Sequence, residues 1–177
     1  GFIGLEAVEA AKEYGKEVSV FQLEDRILKE VFDKEVTDLL EEELKNKGVN
    51  LFLNSKVVEI KGDTKVEKVV TENEEVYADL VILATGVKPN TAFLQNTGIE
   101  MLKNGAIIVD KEGKTSIEDI FSAGDCATVT HLLKPNPTYI PLATVANKFG
   151  RVVGENLGGK ELEYEGSLGS ACIKVLD

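Results

Sequence analysis

The chain opens on Gly1-Phe2-Ile3-Gly4, two glycines three positions apart at the start of a run of helix formers. That spacing fits the second half of a dinucleotide-binding fingerprint. Gly1 lets backbone approach a pyrophosphate, Gly4 lets the helix pack closely on a sheet, and the helix N-terminus offers its amides to phosphate oxygens. Alone, the pattern is equally that of any helix begun by glycine. The next strand ends at Gln22, where such a site expects an acid on the ribose hydroxyls. A neutral hydrogen bond contributes about 0.5–1.5 kcal/mol and a charged one about 1.5–3 kcal/mol, so ribose binding is expected to be about tenfold weaker unless Glu24 substitutes. No basic cluster replaces the acid to take a 2′-phosphate, which favours NADH over NADPH.

The most specific stretch is TSIEDIFSAGD, residues 115–125, a strand closing on Gly124-Asp125. It places a carboxylate at the C-terminal edge of a sheet, where a ribityl hydroxyl donates to it and glycine permits close approach. The competing reading is that Asp125 caps the following turn.

The remaining reactive side chains point to no chemistry of their own. Cys126 and Cys172 are far apart, without a CxxC or a Cys/His cluster, so neither a zinc site nor a disulfide framework is expected. Both read as small buried hydrophobes. His131 is the single histidine, in a loop-like TVTHLL stretch that holds no serine or cysteine partner, so it reads as a packing or surface residue. Glu41-Glu42-Glu43 read as the solvated face of a helix rather than a metal site.

Regular elements must position these groups. Residues 4–14 carry Leu5, Val8 and Ala11 at helical spacing, with Gly15 as the stop, and EVSVFQ at 17–22 follows as a strand. Residues 33–47 form a second helix with Val36, Leu39, Leu40 and Leu44 as its apolar stripe and Gly48 beyond its end, and 49–53 form the next strand. This α-β-α-β order implies a parallel sheet with right-handed crossovers. SKVVEIKG, KVEKVVTE and EEVYA, within residues 55–78, alternate around turn formers at Gly62-Asp63 and Asn73 as an antiparallel meander. DLVILAT, 79–85, is nearly all apolar and suits a strand buried on both faces.

After Gly86 the texture changes to the loop-rich VKPNTAFLQNTGIEM, which marks a domain crossing near residue 87. Strands are expected at 105–110 and 119–123, then a long helix after Pro141 that ends before Gly158-Gly159. The closing GSLGSACIKVLD has strand character.

The composition is that of an ordinary globular protein: 43% hydrophobic, 29% charged and only four prolines in 177 residues, enough for one domain or parts of two. A formal charge of −11, from 20 basic and 31 acidic residues, argues against nucleic acid and anionic lipid as partners. No apolar stretch reaches the ~18 residues of a membrane span. Two unpaired cysteines suit a reducing cytoplasm. The sequence reads as cut at both ends, with no initial methionine and an abrupt final strand. The strand expected before Gly1 would be central in a doubly wound sheet, so its absence would expose two strand edges.

ATG at 84–86 followed by VKPNT, then TSIEDIFSAGDCA, then YIPLATVANKFGRVVGENL, taken in this order, resemble the pyridine nucleotide-disulfide oxidoreductases. YIPLATVANK and GSLGSACIKVLD are most similar to the NADH oxidase and coenzyme A-disulfide reductase group. The resemblance covers essentially the whole chain. It implies an α/β fold: a doubly wound parallel-sheet nicotinamide-binding domain with an antiparallel meander, plus part of a flavin-binding domain of the same type. Residues 1–86 would be the NAD(P)-binding domain lacking its first strand, 87–160 the C-terminal part of the FAD-binding domain, and 161–177 the start of a dimerisation domain.

The same resemblance implies FAD and NAD as cofactors, a small-molecule electron acceptor, and a homodimeric parent that passes hydride from NADH to flavin and on to oxygen or a coenzyme A disulfide. Phe2 matches an aromatic that covers the flavin; the family often has tyrosine there, so the lid role survives and its hydroxyl does not. Glu6 matches a carboxylate near the nicotinamide amide and the flavin, and Gly86 closes the ATG motif. Asp125 matches the ribityl contact, and Leu142, Ala143 and Thr144 match the helix start facing the flavin N1–O2 edge, where reduced flavin carries negative charge. The redox cysteine and the first GxGxxG would lie upstream, so no catalytic residue is expected here and the isolated chain is expected to be inactive. The rival readings are a non-catalytic nucleotide-binding module and a nitrite- or rubredoxin-reductase-like flavoprotein that needs no redox cysteine.

Overall fold

The computed structural model describes residues 1–176 and divides them into two compact units. The first runs from Gly1 to Gly86 and also takes in the residues from Cys172 onward; the second is Val87–Ala171.

In the first unit α1, Phe2–Glu13, buries Leu5 and Val8. It stops because Gly15 adopts φ +66°, so that its N–H reaches the Lys12 carbonyl at 2.8 Å and the Lys16 N–H reaches Ala11 at 3.0 Å. β1, Val18–Phe21, pairs in parallel with β2, Val49–Phe52, in the register Val18↔Val49 to Phe21↔Phe52. The Phe21 and Phe52 rings stack at 4.7 Å. Between these strands runs α2, Lys34–Asn46. The core gathers Leu5, Val8, Ile27, Leu28, Leu44 and Val49, with Ile173 and Val175 packed against it.

The buried face of α2 is not the expected stripe. Thr37, Glu41 and Leu44 are buried, while Val36 and Leu39 are exposed. Two polar groups face inward because each finds a backbone partner: the Thr37 hydroxyl donates to the Lys34 carbonyl at 3.0 Å, and the Glu41 carboxylate accepts the Ile27 N–H at 3.0 Å. Of the acidic run, Glu41 is therefore a structural acceptor rather than part of a solvated face.

The meander forms as β3, Val57–Lys61, β4, Lys68–Thr71, and β5, Glu75–Tyr77, in antiparallel order β3-β4-β5. Gly62 ends β3 where a Cβ would collide with the Lys65 carbonyl. The β4–β5 turn closes on Thr71, whose hydroxyl accepts the Asn73 and Glu74 N–H groups at 3.2 and 3.0 Å.

Residues 79–85 depart from expectation. They form no ladder, and Leu80, Ile82 and Leu83 are exposed. Burial on both faces requires flanking strands, yet β1 pairs with β2 alone and no described residue pairs with this segment. α1 touches both regions: it packs on β1, and Gly4 lies against Ala84, where a Cβ would sit at an ordinary 3.5 Å from the alanine Cβ.

The second unit is built mainly of loops around α3, Ala143–Leu157. Its core is Ile107, Val109, Ala127, Val129, Val145, Phe149 and Val153, and Phe149 stacks on Tyr164 at 5.1 Å. The strands expected at 105–110 and 119–123 appear as isolated bridges, Ile107↔Ala127 and Lys114↔Phe121. The reasons are local. The Thr128 hydroxyl takes the Val109 N–H at 3.2 Å, diverting a bond a backbone ladder would use, and Asp119 sits at φ +62°.

Residues 161–171 stay with this unit through the Leu162 N–H on Asn156 Oδ1 (2.8 Å) and the Tyr164 N–H on the Lys111 carbonyl (2.8 Å). The expected closing strand is reduced to one bridge, Ser167↔His131; its last residue, Asp177, lies outside the described residues.

Candidate functional site

Two groups of residues assemble, one in each unit. In the first, a tight connection at 14–17 makes α1 and β1 run in opposite directions, so the start of the helix and the end of the strand share one end of the unit. Gly1, Ile3 and Glu6 are exposed there. Phe2 is half-buried and meets Phe32 edge-to-face, with ring centroids 6.3 Å apart. Gly1 has open space where a Cβ would be. An exposed glycine-led helix start with unpaired first-turn amides is a ready anion site.

Gln22 continues β1 at that end. Its N–H donates to the Phe52 carbonyl at 2.8 Å and its carbonyl accepts the Ser55 N–H at 2.9 Å, so only its side chain is left for a ligand. Beyond it the loop is laced by charge. Lys29 Nζ lies 3.0 Å from Glu24 and 3.1 Å from Asp25. Hydrogen bonds to Glu24 and then Asp25 hold the Lys29 ammonium above its ordinary pKa, and Lys29 in turn holds the Asp25 carboxyl below the usual range. Arg26 donates to the Lys29 carbonyl at 3.2 Å. Asp25, Arg26 and Lys29, with Lys34, Asp38 and Glu41 of α2, line an open cleft of about 340 Å³. Glu24, the expected stand-in for the acid missing at Gln22, is exposed and its carboxylate accepts from Lys29 at 3.0 Å. Lys29 itself was not singled out, although its i,i+4 spacing from Asp25 was readable.

In the second unit Gly124 adopts φ +85°, a left-handed turn that only glycine enters without strain. The turn is closed by backbone, the Ala127 N–H on the Gly124 carbonyl at 3.1 Å, and the Asp125 carboxylate is exposed. Ala123 and Cys126 on one side, and Ile140 and Leu142 on the other, pack on the same core. The 124–125 turn and the start of α3 therefore flank one core, and the Asp125 charge reaches Tyr139, just ahead of that helix. Leu142 is the N-cap residue, with extended dihedrals, and Ala143 and Thr144 are exposed in the first turn of a 15-residue helix. Tyr139, which sequence reasoning passed over, is partly buried beside this turn. Burial, then the Asp125 carboxylate and then Cys126 push its phenol up. Gly86 ends the first unit at φ +100° and is exposed.

The cysteines differ from each other. Cys126 is partly buried, its thiol 3.4 Å from the Ala123 carbonyl and 3.5 Å from the Ser122 hydroxyl. Cys172 is exposed, contrary to the buried reading, because it stands where the chain leaves the second unit for the first. His131 Nδ1 accepts the Leu133 N–H at 3.1 Å, a turn contact. Among the described residues no group of three or more His, Cys, Asp or Glu side chains is placed to hold a metal, and no helix is long and apolar enough to cross a membrane.

Residues 1–150 match the family described as pyridine nucleotide-disulphide oxidoreductase, and the chain belongs to that family. It is 45% identical over 177 residues to the NAD(P)H coenzyme A polysulfide/persulfide reductase of Pyrococcus horikoshii, covering 100% of this chain and 40% of that protein. To the NADH oxidase of Enterococcus faecalis it is 45% identical over 175 residues, 98% of this chain and 39% of that one. The structure of the water-forming NADH oxidase from Lactobacillus brevis bound to NADH superposes with a TM-score of 0.90 at 34% identity, over 99% of this chain and 39% of the other. The fold is thus the mixed α/β arrangement of FAD- and nicotinamide-dependent members of this family, and the chain spans about 40% of the length of the curated relatives it matches.

Proposed function

We propose that this chain forms part of an NADH- and FAD-dependent oxidoreductase, with residues 1–86 holding the nicotinamide dinucleotide and 87–160 contributing one side of the flavin site. The observation that carries this reading is that an exposed Asp125, on a glycine-shaped turn, and the open first turn of α3 flank one core, with the Asp125 charge felt at Tyr139 just ahead of the helix. A carboxylate accepts ribityl hydroxyls, and helix amides with the positive end of a dipole hold the charge of a reduced isoalloxazine.

At the other site the glycine-led start of α1 binds pyrophosphate, the Gln22 amide bonds a ribose hydroxyl, and Phe2 and Glu6 serve the nicotinamide end. When bound, the flavin takes hydride from NADH and hands electrons to an acceptor. That acceptor is oxygen or a coenzyme A disulfide, a reading supported by similarity to proteins named NADH oxidase and NAD(P)H coenzyme A polysulfide/persulfide reductase. The redox cysteine and the flavin's ADP-binding glycines belong to a longer chain, in which residues 161–177 lead toward a surface that pairs two copies. Two unpaired thiols fit a reducing, cytoplasmic setting.

The test is FAD titration into the purified chain, followed by flavin fluorescence. Weak binding is expected, with no NADH consumption above background, and Asp125→Ala should weaken that binding at least tenfold. Equal affinity in the variant would remove Asp125 from the cofactor site and with it the flavin assignment.

A further inference from the structure

Asn104 is the only asparagine of the sequence followed by glycine, and the fold places this pair at the tip of a tight hairpin that neither proposed cofactor site uses. The Leu102 N–H donates to the Ala106 carbonyl at 2.8 Å and the Gly105 N–H to the Leu102 carbonyl at 2.9 Å, so Lys103, Asn104 and Gly105 form a three-residue loop with Gly105 left-handed at φ +91°. The Asn104 side chain is folded over the next peptide, its Oδ1 accepting the Ala106 N–H at 3.1 Å. Asn104 is exposed, while Ala106 is 0% exposed, so water has little access to that donor.

Two features favour attack of the Gly105 nitrogen on the Asn104 Cγ. Glycine carries no side chain to shield its nitrogen, and the Ala106 N–H polarises the Cγ carbonyl from the side where an oxyanion develops. One feature opposes it: the attacking nitrogen must first lose the proton that the Leu102 carbonyl holds. A single turn bond of this kind slows the reaction by only about two- to tenfold. We infer that Asn104-Gly105 is a self-modifying site. The deprotonated Gly105 nitrogen forms a bond to Cγ, the bond from Cγ to the side-chain nitrogen breaks, and that nitrogen regains the proton and leaves as ammonia. Water then opens the succinimide at either carbonyl, giving aspartate or isoaspartate at position 104 with no change in oxidation state. Isoaspartate routes the main chain through Cβ and Cγ and so lengthens a loop whose ends are fixed. The buried Thr91 hydroxyl holds the Gly105 carbonyl at 2.7 Å, and Met101 bridges to Ile107. Ile107 in turn holds the segment that follows Asp125, its N–H on the Cys126 carbonyl and its carbonyl on the Thr128 N–H, both at 2.8 Å. Modification therefore loosens the support of the turn that carries Asp125.

The experiment incubates the purified chain at neutral and at mildly alkaline pH, beside a synthetic peptide of residues 100–108, and follows ammonia release and proteolytic peptide maps that separate the aspartyl and isoaspartyl forms. Circular dichroism checks that the chain stays folded throughout. Conversion at position 104 is expected at a rate within about tenfold of the free peptide's, ahead of every other asparagine, and faster at the higher pH because the attacking nitrogen must be deprotonated. Asn104→Ser, which keeps a hydroxyl to accept the Ala106 N–H, should release no ammonia from this loop and keep its fold. In the converted chain, amide exchange should show lost protection at Ile107 and Thr128 while the amides of α3 keep theirs. Position 104 still intact after the free peptide has fully reacted would mean that the Leu102 carbonyl locks the nitrogen, and would overturn the proposal; so would faster conversion at any other asparagine. Conversion that leaves Ile107 and Thr128 protected would mean that the loop absorbs the extra atom, and would overturn the coupling to the Asp125 turn.

Discussion

The two units reach comparable compactness by opposite means. The first holds two helices, a parallel pair and a three-stranded meander, yet among the described residues β1 is paired on one side only and Leu80, Ile82 and Leu83 are exposed. The second has one long helix and isolated bridges, yet it buries a continuous core around Phe149, which is 1% exposed. Its loops are fixed by side chains bonded to backbone: Thr91 to the Gly105 carbonyl at 2.7 Å, Asp110 receiving the Glu112 and Lys114 N–H groups at 2.9 Å each, and Asn156 bridging Glu112 and Leu162. Regular hydrogen bonding is therefore no measure of how complete a core is. A ladder satisfies the backbone wherever a partner strand exists, whereas caps and turns satisfy it locally and leave the apolar side chains free to close a core.

The largest expected effect tests whether the second core stands on Phe149. Phe149→Ala removes a ring that stacks on Tyr164 and packs among Ile107, Val129 and Val153, and it should cost about 3–5 kcal/mol. Amide exchange should lose protection at α3 and around 107–129, while β1, β2 and the C-terminal turn of α2 keep theirs. Equal loss in both regions would merge the two cores into one cooperative unit and dissolve the comparison.

Much of the first unit was legible because period 3.6 and period 2 appear in turn along 4–78, and glycines stop both of its helices where expected. What failed there failed for two physical reasons. Residues 79–85 have the composition of a buried strand, but burial is conferred by neighbours, and none of the described residues pairs with them. On α2, hydropathy favoured Val36 and Leu39 over Thr37 and Glu41, although a short polar group with a backbone partner can be buried as readily as an aliphatic one. In the second unit the expected strands dissolved where Thr128 substitutes a hydroxyl for a carbonyl and Asp119 turns left-handed, neither of which periodicity encodes. The Gly124-Asp125 turn was readable because glycine names its own conformation. Tyr139 was not, since what matters there is the Asp125 carboxylate brought beside it by the fold.

A smaller effect sharpens the same contrast inside the first unit. Glu41→Leu keeps the apolar bulk of the α2 face but leaves the buried Ile27 N–H without an acceptor, which should cost about 1–3 kcal/mol. Denaturant titration reads the loss. Unchanged stability would mean that the first unit is held by its apolar contacts alone, and that side-chain-to-backbone bonding distinguishes the second.

The smallest effect falls on the site rather than the scaffold. Gln22→Glu places a charged acceptor where a neutral amide stands, and the difference between the two classes of hydrogen bond predicts a gain of about 1 kcal/mol in NADH binding, roughly fivefold in dissociation constant. Three features make the position sensitive. Its backbone is fully engaged with Phe52 and Ser55, so the variant has little freedom to re-aim. It is half-buried, so a carboxylate there is less screened than Glu24 or Asp25 on the surface. Glu24 is paired with Lys29 in the parent chain, which draws its charge away from a ribose hydroxyl. The substitution should also worsen NADPH binding, since it brings a carboxylate to the ribose edge where a 2′-phosphate would sit, and fluorescence titration of both nucleotides separates the two effects. An equal shift for NADH and NADPH would place Gln22 at a part of the dinucleotide common to both. No shift for either would mean that its side chain points away from the ligand, leaving the start of α1 as the sole anchor of that site.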